Sequence, residues 1–408
     1  MKATKDNTFC THPFNELAIK NYAGDKLVAA WPCCMMGNRT KTNHKTNKLG
    51  IENVHLLAPD EIFNHPRMQL LRENSKTGVR DEACSVCWEQ EDKGLLSFRL
   101  AIEELPDDVV DNPELSVIDI TGSNQCNLRC RMCSPWASNN LMQDQKYFKE
   151  NGLFEGYMDA SKHWAEYAVD FRPTDSKQWH WLMENTDKIK TLRASGGEPF
   201  YDNKMVKLID RYIETGAAAN TELHFHTNGT MLDDMLIEKL NKFKSNIHSF
   251  SVDGYDKIYD YIRYPSSFED MDKILRNYVQ KINTPSEFNI TIVVSSLNVS
   301  CLSDYITWVY SIHRNPIIAF AEINPHERGT SILRLPIHLL EQYLKRLDHF
   351  SHDDVHINNL RAMIKNAIVN NMEDKQRMLA EIVPFDKSRD QSYRDFLDQD
   401  LIDWLENE

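Results

Sequence analysis

No stretch of this sequence approaches the ~20 consecutive apolar residues that a membrane-spanning helix needs. The opening Met1-Lys2-Ala3-Thr4-Lys5-Asp6 carries charge with no apolar run behind it, so no secretory signal is expected and a cytoplasmic location is. Basic residues are short as well: 47 Lys and Arg stand against 61 Asp and Glu, a formal charge of −14. That balance opposes bulk nucleic-acid binding, which favours a basic surface. A local basic stretch, Arg39, Lys41, Lys45 and Lys48, reads first as a solvated loop. No internal repeat or low-complexity tract interrupts the 408 residues, which are ample for a well-buried core.

Cysteine is the informative residue. There are nine, Cys10, Cys33, Cys34, Cys84, Cys87, Cys126, Cys130, Cys133 and Cys301, and eight fall in the first third of the chain. In a cytosolic chain, clustered cysteines point to metal ligands or catalysts more than to disulfides. Cys301 stands alone and reads as a small buried hydrophobe.

Residues 1–112 look irregular, with one helix expected over Pro59–Asn74 and a second from about Cys87 into Glu103. The acidic stretch that begins at Glu103 marks a boundary. Beyond it, short apolar strands alternate with helices. The strands are expected at Ser116–Thr121, Lys190–Ala194, Glu222–His226, Ser249–Val252, Asn289–Val294 and Ile317–Ile323. The helices are Lys204–Thr215, Met231–Lys244, Phe268–Ile282, Leu302–His313 and Pro336–Phe350. This order predicts an α/β fold of right-handed βαβ units around a parallel sheet, two strands short of a full eight-stranded barrel. The long connection after the first strand carries Trp136, Tyr147, Tyr157, Trp164, Tyr167, Trp179 and Trp181, which read as core-facing stripes of helices. Past Ile323 only helices are expected. The last, Asp390–Glu408, places Tyr393, Leu397, Leu401, Trp404 and Leu405 at helical spacing and should dock by that face.

Directly after the first expected strand comes Cys126-Asn127-Leu128-Arg129-Cys130-Arg131-Met132-Cys133, a C-x3-C-x2-C loop. Three thiolates on one tight loop can hold three irons of a cubane cluster and leave the fourth open to a small molecule. Structural zinc wants a fourth ligand, and no cysteine or histidine follows closely. The C-terminal ends of barrel strands are also where active sites gather.

This loop resembles that of the radical S-adenosylmethionine (SAM) superfamily, and further motifs extend the resemblance over about residues 115–330. Ser195-Gly196-Gly197-Glu198-Pro199 resembles the family's GGEP segment, which implies that the Glu198 carboxylate and nearby backbone hold the methionine ammonium of SAM. Thr227-Asn228-Gly229 is similar to its T-N-G segment, and Ser251-Val252-Asp253-Gly254 to its S-x-D-G segment, both implied to line the SAM pocket. Arg263 aligns with an arginine that meets the methionine carboxylate in many relatives; a surface helix arginine is the competing reading. Asn298 is a weaker carry-over. Met132 stands where relatives often have an aromatic on the adenine, and can fill that space by dispersion. The resemblance implies a partial (β/α)6 TIM-like barrel, a [4Fe–4S] cluster on Cys126, Cys130 and Cys133, SAM as cosubstrate, and a reductant such as flavodoxin or ferredoxin.

Cys10-Thr11-His12-Pro13-Phe14, Trp31-Pro32-Cys33-Cys34, Cys84-Ser85-Val86-Cys87 and Ser97-Phe98-Arg99 resemble elements of SPASM/twitch auxiliary-cluster domains, here preceding the barrel. Four thiolates can hold either a closed cluster or zinc. The resemblance implies a second [4Fe–4S] cluster on Cys10, Cys33, Cys84 and Cys87, with zinc as runner-up and Cys34 as a substitute ligand. Gly24 lies farther from Cys33 than the usual gap. The expected domains are 1–112 auxiliary cluster, 113–330 partial barrel and 331–408 helical extension. The first is expected to cover the strand-end mouth of the barrel, within electron-transfer reach of SAM. The expected function is hydrogen abstraction from a peptide or protein side chain. A nucleotide or sugar-like substrate is the alternative, and a non-catalytic iron–sulfur protein is disfavoured because the motifs are intact.

Overall fold

The computed structural model describes residues 2–21, 28–34, 51, 54–94, 96–101, 104–135, 137–153, 176–324 and 328–407. Gly24, the basic residues Arg39, Lys41, Lys45 and Lys48, the first linker residue Glu103, and Trp136, Tyr157, Trp164 and Tyr167 lie outside these. The chain divides into two compact units. The first comprises Met1–Ser123, Val169–Phe225 and Lys242–Ser245; the second comprises Asn124–Ala168, His226–Asn241 and Asn246–Glu408.

The first unit is built on β1 (Glu16–Asn21), β2 (Val28–Trp31), β3 (Val117–Thr121), β4 (Thr191–Ser195) and β5 (Glu222–Thr227), in the order β2-β1-β3-β4-β5. β1 is antiparallel to β2 and parallel to β3; β3, β4 and β5 are parallel in turn. One row of the register runs Glu16, Val117, Thr191, Glu222; the row near the other end runs Lys20, Thr121, Ser195. Every residue of Val117-Ile118-Asp119-Ile120-Thr121 is buried, as expected of a β-branched strand covered on both faces. The helix Asn203–Glu214 buries Met205, Leu208, Ile209 and Tyr212, an i, i+3, i+4, i+7 stripe.

The second unit carries β6 (Ser245–Ser251), β7 (Ser286–Val294) and β8 (Ile317–Glu322), parallel in that order. The helices Phe268–Lys281 and Leu302–Ile312 lie between them in sequence. Ser267 caps the first by accepting the Asp270 N–H at 3.2 Å, and Met271, Leu275 and Tyr278 form its buried face. After β8 come the helices Ile337–Lys345, Val355–Val369, Lys375–Arg389 and Gln399–Glu406, the expected helical extension.

The α/β class and all six strands from Val117 to Glu322 are as the sequence predicts. Several boundaries differ. The helix expected over Pro59–Asn74 is two, Pro59–Phe63 and Pro66–Thr77, because Pro66 has no N–H to continue a helix and disfavours helical backbone at His65. That expected from Cys87 is Ser85–Asp92, followed by a separate turn at Phe98–Ala101. The helix expected from Met231 starts only after Asp233, whose side chain accepts the Leu236 N–H at 2.8 Å. The last helix is likewise two, Tyr393–Phe396 and Gln399–Glu406, divided at the extended Leu397. Strands β1 and β2 lie in a stretch read as irregular. Among the described residues no helix is long and apolar enough to cross a membrane.

Candidate active site

The three-cysteine loop belongs to the second unit. Cys126 and Cys130 are buried with Leu128 in one apolar patch, and Cys133 packs against it. Polar donors converge on the sulfurs. Leu128 N–H and Asn228 Nδ2 approach Cys126 Sγ at 3.4 and 3.8 Å, and Arg263 Nη1 approaches Cys130 Sγ at 3.6 Å. Burial pushes the Cys133 thiol up to about 12, helped by the charge of Cys130, and raises Cys130 too. Buried thiols of this kind ionise when a metal supplies compensating charge, and N–H donors to sulfur are part of how a protein tunes a cluster. The donor set fits an iron–sulfur group.

The loop is held from both sides. Arg129 N–H and Arg131 N–H donate to the carbonyls of Tyr264 and Ile262 at 2.8 and 2.9 Å. Ser138 Oγ donates to Leu128 O at 2.6 Å, and Asn140 Nδ2 to Cys126 O at 2.7 Å, while Asn139 Oδ1 accepts the Cys126 N–H at 3.2 Å. Sequence reasoning missed these three residues. The signal was there, a Ser-Asn-Asn run shortly after the last loop cysteine, where short polar side chains satisfy loop backbone.

Several expected SAM-pocket residues gather on the same loop. Asn228 Nδ2 donates to Asn127 Oδ1 at 2.9 Å, Asn127 Nδ2 to Thr230 Oγ1 at 2.8 Å, and Thr230 Oγ1 to Asn228 Oδ1 at 2.7 Å, which closes a small polar ring. Thr227 Oγ1 accepts the Gly229 N–H at 3.0 Å. Arg263 is buried, not a surface arginine, and its Nη2 lies 2.5 Å from Asp253 Oδ2. Burial disfavours its charge, but the Asp253 carboxylate beside it outweighs burial and drives Arg263 above its ordinary value. Asn298 is fully buried and braces backbone: its Nδ2 donates to Asp253 O at 3.1 Å and Val293 O at 2.9 Å, and its Oδ1 accepts Ser295 N–H at 2.8 Å. Ser251 ends β6, and Met132 is half-buried beside Cys133.

Gly196, Gly197, Glu198 and Pro199 follow β4 in the first unit. Gly196 has φ +129°, and a Cβ there would lie 2.7 Å from the Ser123 carbonyl, so only glycine fits. Gly197 N–H donates to that carbonyl at 2.8 Å. Glu198 is buried, with Oε1 accepting the Phe200 N–H at 3.1 Å.

Cys10, Cys33, Cys84 and Cys87 also come together, lining one cavity of the first unit with His12 and Arg99. The backbone N–H of His12 lowers the Cys10 thiol, and those of Arg99 and Phe98 the Cys87 thiol, against the larger effect of burial. Burial raises all four thiols, Cys84 to about 12. His12 Nδ1 is tied to Glu16 Oε2 at 2.8 Å, and the buried Nε2 has no hydrogen-bond partner among the described residues. Arg99 is held by Glu91, with Nε–Oε1 at 2.7 Å, and by the Phe9 carbonyl at 2.9 Å. Among the described residues no three His, Cys, Asp or Glu side chains close in around a single-ion position. The four thiols line one shared space.

The place of this cavity corrects one expectation. Cys10 and His12 precede β1 and Cys33 follows β2, at the end of the sheet where Glu16 and Val117 pair. That is the N-terminal end of β1 and β3, whereas Gly196–Pro199 follow the C-terminal end of β4. Within the first unit the four thiols therefore lie at the opposite end of the strands from Gly196–Pro199, not at the strand-end side where they were expected. The reason is topological: β1 adds to the sheet parallel to β3, so residues before β1 fall at the foot of the strands.

No curated protein matches the chain. Among solved structures, Streptococcus suis SuiB bound to S-adenosylmethionine is 14% identical, with 64% of this chain and 58% of that one covered and a TM-score of 0.37. The coproporphyrinogen III oxidase of Escherichia coli, described as a radical SAM enzyme, is 13% identical, with 62% and 53% covered and a TM-score of 0.31. The chain thus spans 58% of the length of the SuiB structure, and likenesses of this size bear on neither substrate nor reaction. The family match is direct: residues 120–306, which hold the three-cysteine loop and every SAM-segment motif, match the Radical SAM superfamily. Residues 120–306 of the chain thus form a radical SAM superfamily domain.

Proposed function

We propose that Cys126, Cys130 and Cys133 hold the [4Fe–4S] cluster of a radical SAM enzyme that abstracts hydrogen from a peptide or protein side chain. The observation that carries the cluster assignment is the convergence of the buried Cys126 and Cys130 thiols and the half-buried Cys133 thiol on one loop, with Asn228 and Arg263 donating to the first two. When bound, the cluster and SAM supply reductive cleavage of SAM and a 5′-deoxyadenosyl radical; the protein supplies orientation and shelter. Glu198 would take the methionine ammonium, a charge-assisted bond for which its buried carboxylate is suited. Thr227, Asn228, Ser251 and Asp253 belong to the pocket segments, and Met132 would lie toward the adenine. Arg263, already paired with Asp253, acts on Cys130 and holds the pocket's charge balance.

Cys10, Cys33, Cys84 and Cys87 would hold a second [4Fe–4S] cluster. The cavity that the four thiols share and the Arg99 cation that lines it support it. Its place at the foot of β1 argues for anchoring the N-terminal segment. The peptide class of substrate rests on the resemblance of these elements to auxiliary-cluster domains. Anaerobic reconstitution followed by iron analysis and electron paramagnetic resonance tests the assignment. About eight irons per chain, falling to about four in a Cys126/Cys130/Cys133→Ala variant, support it. No loss of iron in that variant contradicts it.

A further inference from the structure

The helix Lys375–Arg389 presents Glu381, Ile382, Phe385, Asp386 and Arg389 on one face, at the spacing that stacks side chains along a helix. All are buried, and three are charged. Their partners lie on or against the three-cysteine loop, in the same unit. Arg131, between the second and third loop cysteines, turns its guanidinium into this face. Its Nη2 reaches Asp386 Oδ1 at 2.6 Å and Gln391 Oε1 at 3.0 Å, its Nε donates to Tyr261 O at 2.8 Å, and it stacks 3.5 Å over the Tyr261 ring. Asp386 is filled on every side: Tyr261 OH donates to it at 2.7 Å and Tyr393 N–H at 2.8 Å.

A second arm runs through Arg328. Its Nε and Nη2 clamp Glu381 Oε1 at 2.8 and 2.5 Å, and it donates to the carbonyls of Arg131 and Met132 at 2.5 and 3.3 Å. Glu381 Oε2 is fixed by the N–H groups of Gly329 and Thr330 at 2.6 and 3.2 Å. At the helix end, Arg389 pairs with Asp144 at 3.0 Å.

Buried ion pairs are weak devices for stability and strong ones for fixing one arrangement, because any other leaves a charge unpaired. Here they converge on a stretch, Arg131-Met132-Cys133, whose side chains and carbonyls have no regular secondary structure to hold them. We propose that Asp386 and Glu381 of the helix Lys375–Arg389 are positioning residues for the cluster loop, acting through Arg131 and Arg328 to set the third cysteine. The inference rests on the cluster assignment above. It makes the helical extension part of the cluster site, not an appendage.

The test uses the full reconstituted chain with Asp386→Asn and Glu381→Gln variants. Three readouts apply: iron loss to a chelator, the change in the reduced cluster's paramagnetic spectrum on adding SAM, and helicity by circular dichroism. Removing the support of a metal site's ligands weakens metal affinity roughly 10–100-fold, so iron loss is expected to accelerate in that range with helicity kept and the SAM-induced spectral change reduced. Arg328→Lys, which keeps the charge but loses the forked geometry, gives a folded variant if either acid variant does not fold, and is expected to show the same change to a smaller degree. Iron retention and a SAM-induced spectrum equal to wild type in folded variants overturn the clasp alone. A wild-type chain that takes up no iron on the three-cysteine loop overturns the cluster assignment and the clasp with it.

Discussion

Arg263 stands between Asp253 and Cys130, 2.5 Å from the carboxylate and 3.6 Å from the sulfur. One buried cation therefore serves a carboxylate of the S-x-D-G segment and a thiol of the three-cysteine loop. Replacing it by glutamine strands the Asp253 charge, which in buried pairs costs roughly 3–5 kcal/mol. Denaturant unfolding of Arg263→Gln should show that loss, and the double variant with Asp253→Asn should recover most of it. Equal stability of the single and double variants would mean the pair is not coupled.

Glu198→Gln should weaken SAM binding while the cluster spectrum stays intact. A charge-assisted hydrogen bond of roughly 1.5–3 kcal/mol is lost, about 10–150-fold in affinity. Calorimetric titration of the reconstituted protein checks it, and an unaltered affinity would show that the segment is only a turn.

Gly196→Ala should destabilise the chain by roughly 1–3 kcal/mol, since the residue sits at φ +129° and its new Cβ meets the Ser123 carbonyl at 2.7 Å. Thermal unfolding measures this. A neutral result would show that the loop relaxes freely.

The acid side of the stability profile should depend in part on Asp354, which caps the helix Val355–Val369 and accepts the His356 and Ile357 N–H groups at 2.9 and 3.1 Å. Burial alone would raise it, but the Tyr310 hydroxyl and these N–H groups outweigh burial and hold the carboxyl below its usual value. A depressed folded value stabilises above the unfolded one, so the contribution is present above about pH 4 and is lost as pH falls through the folded value. Asp354→Ala should cost about 0.5–2 kcal/mol near neutral pH and progressively less under acid. A pH-independent difference contradicts the assignment.

Much of this architecture is legible in the sequence. Val117–Thr121 is a β-branched run flanked by turn residues, and Cys126, Cys130 and Cys133 follow it directly, so strand, loop and chemistry announce one another. Gly196-Gly197-Glu198-Pro199 is legible by its resemblance to the family's GGEP segment, while the steric demand that Gly196 meets, set by the Ser123 carbonyl, shows only in the fold. β1 was hidden because its Glu16 and Lys20 interrupt the apolar pattern; Glu16 is buried only because His12 and Arg193 pair with it. The clasp was hidden for a different reason. Arg131 and Asp386 are 255 residues apart, and each alone reads as a charged surface side chain. Pairing across such a separation exists only in the fold.

The central claim is that the three-cysteine loop drives SAM cleavage. The most direct measurement is 5′-deoxyadenosine released by the anaerobically reconstituted chain with SAM and dithionite, beside Cys130→Ala treated identically. The account predicts product from the wild type and none from the variant. Equal product from Cys130→Ala, or none from a wild type carrying its full iron, would contradict it.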